Sequence, residues 1–166
     1  MTTQRICALA AALVLAACAS PFAGSGIGPG ATRDQVVAQM GHPTRVIPLA
    51  NGGQRLQYSM QPAGQYAWMV DLDAAGRVTN SRQVLSEREF HRIVPGEWTR
   101  ADIEREFGPP ARVDRVASWH GPVMTYRWRD LQGANMFYWV YLDAQGVVQR
   151  AHPGMEVRDR MFDFRF

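Results

Sequence analysis

The chain has 166 residues, of which 46% are hydrophobic, 10% aromatic and 20% charged. This ordinary globular composition suits one domain or two very small ones and excludes wholesale disorder. Its 18 basic residues, all arginine, face 15 acidic ones for a net charge of +3, spread too thinly for a nucleic-acid footprint.

Both cysteines, Cys7 and Cys18, lie near the amino terminus, so no disulfide or cysteine-rich zinc site can hold the fold. The apolar run from Ile6 to Ala17 is shorter than the roughly 20 residues of a spanning helix. It follows a weakly basic start and has the shape of a secretory signal. Leu15-Ala16-Ala17-Cys18 resembles the lipobox of bacterial lipoproteins. That resemblance implies removal of residues 1–17, with lipid on the Cys18 thiol and on its new amino group. Each buried methylene contributes about 0.8 kcal/mol, so several acyl chains anchor a protein without a transmembrane helix. Ala19, rather than Asp, follows the cysteine. By resemblance to enterobacterial lipoproteins this implies the periplasmic side of the outer membrane. Residues 18–29 read as a flexible tether. Gly24, Gly26, Gly28 and Gly30 lack the preceding strand and following lysine of a phosphate-cradling loop.

From residue 30 onward one unit is written twice. Thr32-Arg-Asp-Gln35-Val36 through Met40-Gly41-His-Pro43 matches Thr99-Arg-Ala-Asp102-Ile103 through Phe107-Gly108-Pro-Pro110, at an offset of 67. Val70-Asp-Leu72-Asp73 through Gly76-Arg-Val78 matches Val140-Tyr-Leu142-Asp143 through Gly146-Val-Val148, at an offset of 70. The drift belongs in loops, where insertions are tolerated. The units are assigned to residues 30–83 and 84–150, with a carboxy-terminal tail at 151–166. Thr32 with Gln35, and Thr99 with Asp102, predict N-terminal capping boxes. Val36 and Met40, like Ile103 and Phe107, share a helical face. Gly41 and Gly108 stand where a left-handed C-cap is wanted, each with a proline two residues on. An extra helix is expected after Ser86 in the second unit, with Phe90, Ile93 and Val94 facing inward.

Strands follow the helices: Arg55–Met60 and Val123–Trp128, then the alternating segments 66–72 and 136–142. Tight turns at Asp73–Gly76 and Asp143–Gly146 reverse the chain into Val78 and Val148. The expected fold class is therefore α+β: two tandem helix-helix-three-strand antiparallel units, with helices on one sheet face.

The pattern Gly-x-Thr-x-x-x-Val-x-x-x-x-Gly-x-Pro, an aromatic strand and a Leu-Asp-x-x-Gly-x-Val turn resemble the SmpA/OmlA (BamE-like) outer-membrane lipoproteins across nearly all of residues 28–150. In tandem the unit resembles the β-lactamase inhibitory proteins. The first resemblance implies a protein-binding scaffold, an accessory of β-barrel outer-membrane protein assembly or of envelope integrity. The second implies the alternative, a periplasmic enzyme inhibitor or ligand-binding lipoprotein. The founding members carry one unit, and Leu56-Gln57-Tyr58 replaces their frequent Trp-x-Tyr.

No catalytic set stands out. His42, His91, His120 and His152 have no metal-ligand spacing. Ser118 and His120 are close in sequence without a third partner to orient them. Asp73 and Asp143 suit backbone hydrogen bonds in turns. No enzyme activity, cofactor, metal or nucleic-acid partner is expected. The partner-binding candidates are aromatic. Phe137, Trp139 and Tyr141 point opposite to Met136, Tyr138, Val140 and Leu142, leaving strand 136–142 apolar on both faces. The odd face either packs against the first unit or meets a protein partner. Phe162, Phe164 and Phe166 alternate with charged residues like the carboxy-terminal strand of outer-membrane barrels. They are expected to dock on this protein's own sheet, to fray, or to pair with a partner's edge strand.

Overall fold

The computed structural model describes residues 27–157. It corrects the expected fold class. Two antiparallel four-stranded sheets dominate and helix amounts to about 15%, so the chain is mostly β rather than a pair of helix-helix-three-strand units.

The first unit runs α1 (Arg33–Met40), β1 (Arg45–Pro48), β2 (Gln54–Ser59), β3 (Ala67–Leu72) and β4 (Val78–Gln83). The second runs α2 (Glu87–Phe90), α3 (Arg100–Phe107), β5 (Arg112–Asp114), β6 (Val123–Arg129), β7 (Asn135–Leu142) and β8 (Val148–Met155). Each sheet is a meander in chain order. β1 and β5 are the strands the sequence reading lacked. A strand of three or four residues places at most two side chains on a face, too few to show an alternation. They form because the chain turns at Gly41 and Gly108 and returns along a longer strand. Arg45 pairs with Gln57, and Arg112 with Thr125. β8 runs on to Met155, so residues 151–155 belong to the second sheet and not to the tail.

The helices begin as their sequences dictate. Both capping boxes close: the Thr32 hydroxyl accepts from the Gln35 N–H while the Gln35 side chain accepts from the Thr32 N–H, and Thr99 and Asp102 do the same. They end on glycines whose conformation is more restrictive than a left-handed cap. Gly41 (φ 78°, ψ −167°) and Gly108 (φ 79°, ψ −172°) occupy a region that essentially only glycine enters. Ser86 makes no side-chain cap to the one-turn α2, and Val94 is exposed, whereas Phe90 and Ile93 are buried.

One face of each sheet meets its own helix. Leu56, Tyr58, Val70, Leu72 and Val78 close over Val36 and Met40 of α1, with Ile27 from the end of the expected tether buried beside them. The second core is larger. Phe90 lies flat on Tyr138 at 4.0 Å and stacks on Phe107 at 5.1 Å, with Tyr126 and Trp128 around them. Homologous tyrosines tie each sheet to its helix end: the Tyr58 hydroxyl donates to the Gly41 carbonyl at 3.1 Å, and the Tyr126 hydroxyl to the Gly108 carbonyl at 2.8 Å.

The opposite face of the first sheet is covered too. Ala67 and Met69, both 0% exposed, join the core of the second unit, as do Val84 and Leu85 of the connection. Helix α3 lies across this face. The units therefore stack as helix, sheet, helix, sheet.

Candidate functional site

The stacked arrangement gives the two outer sheet faces opposite fates. On the first sheet, cross-strand pairs place Arg55, Gln57, Met69 and Asp71 on the side facing α3. Gln57 donates through Nε2 to the Glu104 and Arg105 carbonyls in the last turn of α3, 2.9 Å each. Arg55 donates to both Asp71 oxygens at 2.6 and 3.0 Å, to the Glu106 carboxylate at 2.9 Å and to the Arg105 carbonyl at 3.2 Å. Arg82 reaches Asp71, Glu89 and Glu106, and Arg92 reaches Glu89 and Glu106.

Three arginines and three carboxylates thus close the junction between the units. Burial by itself would push the Glu106 carboxyl up, but Arg55, Arg92 and Arg82 outweigh it and hold the group below the usual glutamate range. Glu89 is lowered in the same way, with burial opposed by Arg92, Arg88 and Arg82. Arg55, 6% exposed, titrates above its ordinary value: burial works against the charge, and the Asp71 and Glu106 partners overcome it. This cluster went unread in the sequence. Its members lie in five separate segments, and each by itself resembles a solvated surface charge. The one signal was Arg55 and Asp71 at facing positions of a predicted strand pair.

On the second sheet no helix among the described residues covers the same side. Val123 pairs with Tyr141, Thr125 with Trp139 and Arg127 with Phe137, which places the predicted aromatic candidates on one face. Phe137, Trp139 and Tyr141 are all half-buried. The core that joins the units takes Ala67 and Met69 from the first sheet and none of these three rings.

The rings form a continuous row. Phe137 lies 5.7 Å from Trp139, Trp139 5.4 Å from His152, and His152 stacks on Tyr141 at 5.4 Å. Trp119, from the loop before β6, meets Tyr141 edge-on at 5.4 Å and donates its indole N–H to the Leu142 carbonyl at 2.7 Å. A Cβ at Gly154 would fall 2.3 Å from the Trp139 ring, so the indole lies directly on glycine backbone. Arginines stand over both ends: Arg112 5.5 Å from the Phe137 centroid, and Arg150 4.1 Å from Tyr141 and 5.7 Å from Trp119. His152 and Trp119 were not assigned to this face from the sequence. The alternation of β8 could have placed His152; nothing local could have placed Trp119, which arrives from a loop.

Beside the row, the hairpin turn at 60–66 meets β6. Gln61 donates to the Arg127 carbonyl at 2.7 Å, and Arg127 donates to the Pro62 carbonyl at 2.8 Å while pairing with Glu156. An open cleft of about 530 Å³ lies there, lined by Tyr66, Trp68, Gln83 and Arg129 among others.

Asp73 and Asp143 accept from backbone N–H groups inside their turns at 2.8–2.9 Å. Among the described residues, no group of three or more His, Cys, Asp or Glu side chains is placed to hold a metal, and no helix is long and apolar enough to cross a membrane. Cys18, Phe162, Phe164 and Phe166 lie outside the described residues.

No known family profile matches the chain, and no curated protein matches it. Among solved structures it is similar to the DUF4309-family protein YjgB of Bacillus subtilis subsp. subtilis str. 168. The identity is 17% and the TM-score 0.32, over 76% of this chain and 79% of that one. It is also similar to an extracellular protein containing a SCP domain from Bacillus anthracis str. Ames. There the identity is 10% and the TM-score 0.29, over 78% of this chain and half of that one. Likenesses this distant carry no argument about fold, activity or partner.

Proposed function

We propose that this chain is a lipoprotein anchored through Cys18 to the periplasmic side of the outer membrane, and that it works as a non-catalytic protein-binding scaffold. The observation that carries the reading is the open row of rings on the second sheet, Phe137, Trp139 and Tyr141. Tryptophan, tyrosine and arginine are the residue types enriched where binding energy concentrates, and this face presents all three in fixed geometry. The lipobox-like Leu15-Ala16-Ala17-Cys18 supplies the anchor. The resemblance to BamE-like lipoproteins makes β-barrel assembly or envelope integrity the setting, with the tail rings Phe162, Phe164 and Phe166 as a second contact.

The test is crosslinking of the native lipoprotein in detergent extract, followed by mass spectrometry, for the wild type and for Trp139→Ala. An outer-membrane assembly component recovered with the first and lost with the second supports the scaffold. Recovery that is identical for both chains, or Cys18→Ala protein that fractionates with the outer membrane as before, would sink it.

A further inference from the structure

The open face carries charge as well as rings: Arg112 and Arg127 are paired there with Asp114 and Glu156, and Arg150 is left over. Arg112 and Arg150 stand over the two ends of the aromatic row. Arg112 shares its charge with Asp114 at 2.7 Å; Arg150 has no carboxylate within salt-bridge distance among the described residues. A guanidinium stacked flat on a ring keeps its N–H edge free, and that edge fits a carboxylate in a bidentate grip. Trp139 is held flat because Gly154 beneath it has no side chain. His152, wedged between Trp139 and Tyr141, completes a rigid apolar floor. The face is therefore prepared before any partner arrives, which lowers the ordering cost of binding.

The first sheet shows what such chemistry accepts. Its arginines are met by Glu106 and by the carbonyl end of α3, so within this molecule an arginine-bearing sheet face already docks an acidic segment. A second copy fits poorly. Among the described residues the helix left at the outside of the stack, α1, exposes Arg33, Asp34, Gln35, Ala38 and Gln39, with one carboxylate and little apolar surface.

We propose that the open face of the second sheet docks an acidic segment of a partner protein. Apolar side chains of that segment lie on the Phe137–Trp139–Tyr141 row, and a carboxylate is gripped by Arg150. This rests on the protein-binding reading above and adds the chemistry of the partner.

The experiment uses the full-length lipoprotein in detergent and two labelled synthetic peptides, one alternating Glu and Leu, the other alternating Lys and Leu, read by fluorescence anisotropy. The Glu peptide is expected to bind at least about tenfold more tightly than the Lys peptide, with a preference that fades as salt is raised. Arg150→Glu should abolish that preference at an unchanged melting temperature, and Gly154→Ala, which tilts Trp139 without removing it, should weaken binding of both peptides. Equal affinity for the two peptides overturns the proposal, as does a preference that survives Arg150→Glu. Binding that appears only after truncation at Val157 also overturns it, because the chain's own tail is then the occupant. A photo-crosslinker at the Arg150 end of the row, Tyr141→p-benzoyl-phenylalanine, separates the two failures. If it traps a protein while the peptides bind alike, the acidic chemistry fails and the scaffold stands. If it traps none, and phosphatidylglycerol vesicles bind in place of the Glu peptide, both fail.

Discussion

The outer faces of the two sheets occupy matched positions in a repeated unit, yet one is interior and the other is surface. Where α3 covers the first sheet, the central strand offers Ala67, Met69 and Asp71. Where no helix among the described residues covers the second, it offers Phe137, Trp139 and Tyr141. Side-chain size explains the difference. A helix can approach a sheet closely only over small or flexible residues, and the end of α3 comes so near that a Cβ at Gly108 would lie 3.5 Å from Met69. Rings at those positions would hold a helix off. The repeated unit therefore gives two sheets of the same plan, one with small and flexible residues under a helix of the same chain, the other with rings at the matched positions.

The largest effect is expected where that internal contact is charged. Arg55→Met should cost about 3 kcal/mol or more, because Asp71 and Glu106 then lose a buried partner. Arg150→Met, on the open face, should cost under about 1 kcal/mol. Urea unfolding at neutral pH checks both, and similar losses would erase the distinction between the faces. The same cluster sets a pH dependence. Glu106 and Glu89 are held below their ordinary range in the folded chain. Their contribution is thus fully present above the unfolded value of about pH 4.3. It is lost as pH falls through the lower folded values. Urea midpoints should match at pH 7 and pH 5.5 and fall steeply toward pH 3, with a smaller fall in Arg55→Met. A flat profile down to pH 3 would mean that the cluster contributes nothing.

Exchanging the faces' residues tests the size argument. Ala67→Phe places an open-face ring beneath the junction and should destabilise by roughly 1–3 kcal/mol through overpacking. Phe137→Ala, its counterpart, should cost about 1 kcal/mol, since that ring is already half in water. A melting temperature for Ala67→Phe equal to wild type would show that the junction is not tightly packed.

The helix-end glycines sharpen the contrast further. Both Gly41→Val and Gly108→Val force a branched side chain into a positive-φ region, for about 1 kcal/mol or more each. A Cβ at Gly41 meets nothing within 4 Å, whereas one at Gly108 faces Met69 and Ser59 across the junction. Thermal melts should therefore show the larger loss at Gly108, and an equal loss would place the cost in the backbone alone.

What could be read from the sequence follows how local each interaction is. The capping pairs Thr32–Gln35 and Thr99–Asp102, the glycines after each helix and the turns at Asp73 and Asp143 are set by residues within four positions of one another. All of them form. The fold class was misread for a related reason. β1 and β5 have no period of their own and exist only as partners of β2 and β6. The covering of the first sheet depends on Arg55 meeting Glu106, 51 residues away, and no local pattern announces that. The aromatic candidates were legible because alternation alone places Phe137, Trp139 and Tyr141 together. That they face outward was not legible, since hydrophobicity favours burial and only the position of α3 decides which sheet is covered.

The smallest effect on stability should accompany the largest effect on binding. Trp139 lies half-exposed on Gly154, with no part in the core between the units. Trp139→Met, which gives the second sheet the residue that the first carries at Met69, should leave the fold intact and move the melting temperature by only a few degrees. A ring in an interface centre behaves differently from one in a core: its removal abolishes partner recovery while unfolding stays cooperative. Circular dichroism melts and crosslinking of the same preparation separate these outcomes. Outright unfolding of Trp139→Met would make the aromatic row a structural layer of the second unit. An unchanged melt with unchanged partner recovery would move the interface elsewhere, to the cleft beside Tyr66 or to the tail. Loss of recovery in a folded chain is the outcome that the comparison of the two faces requires, because only then is the uncovered face the one that meets a partner.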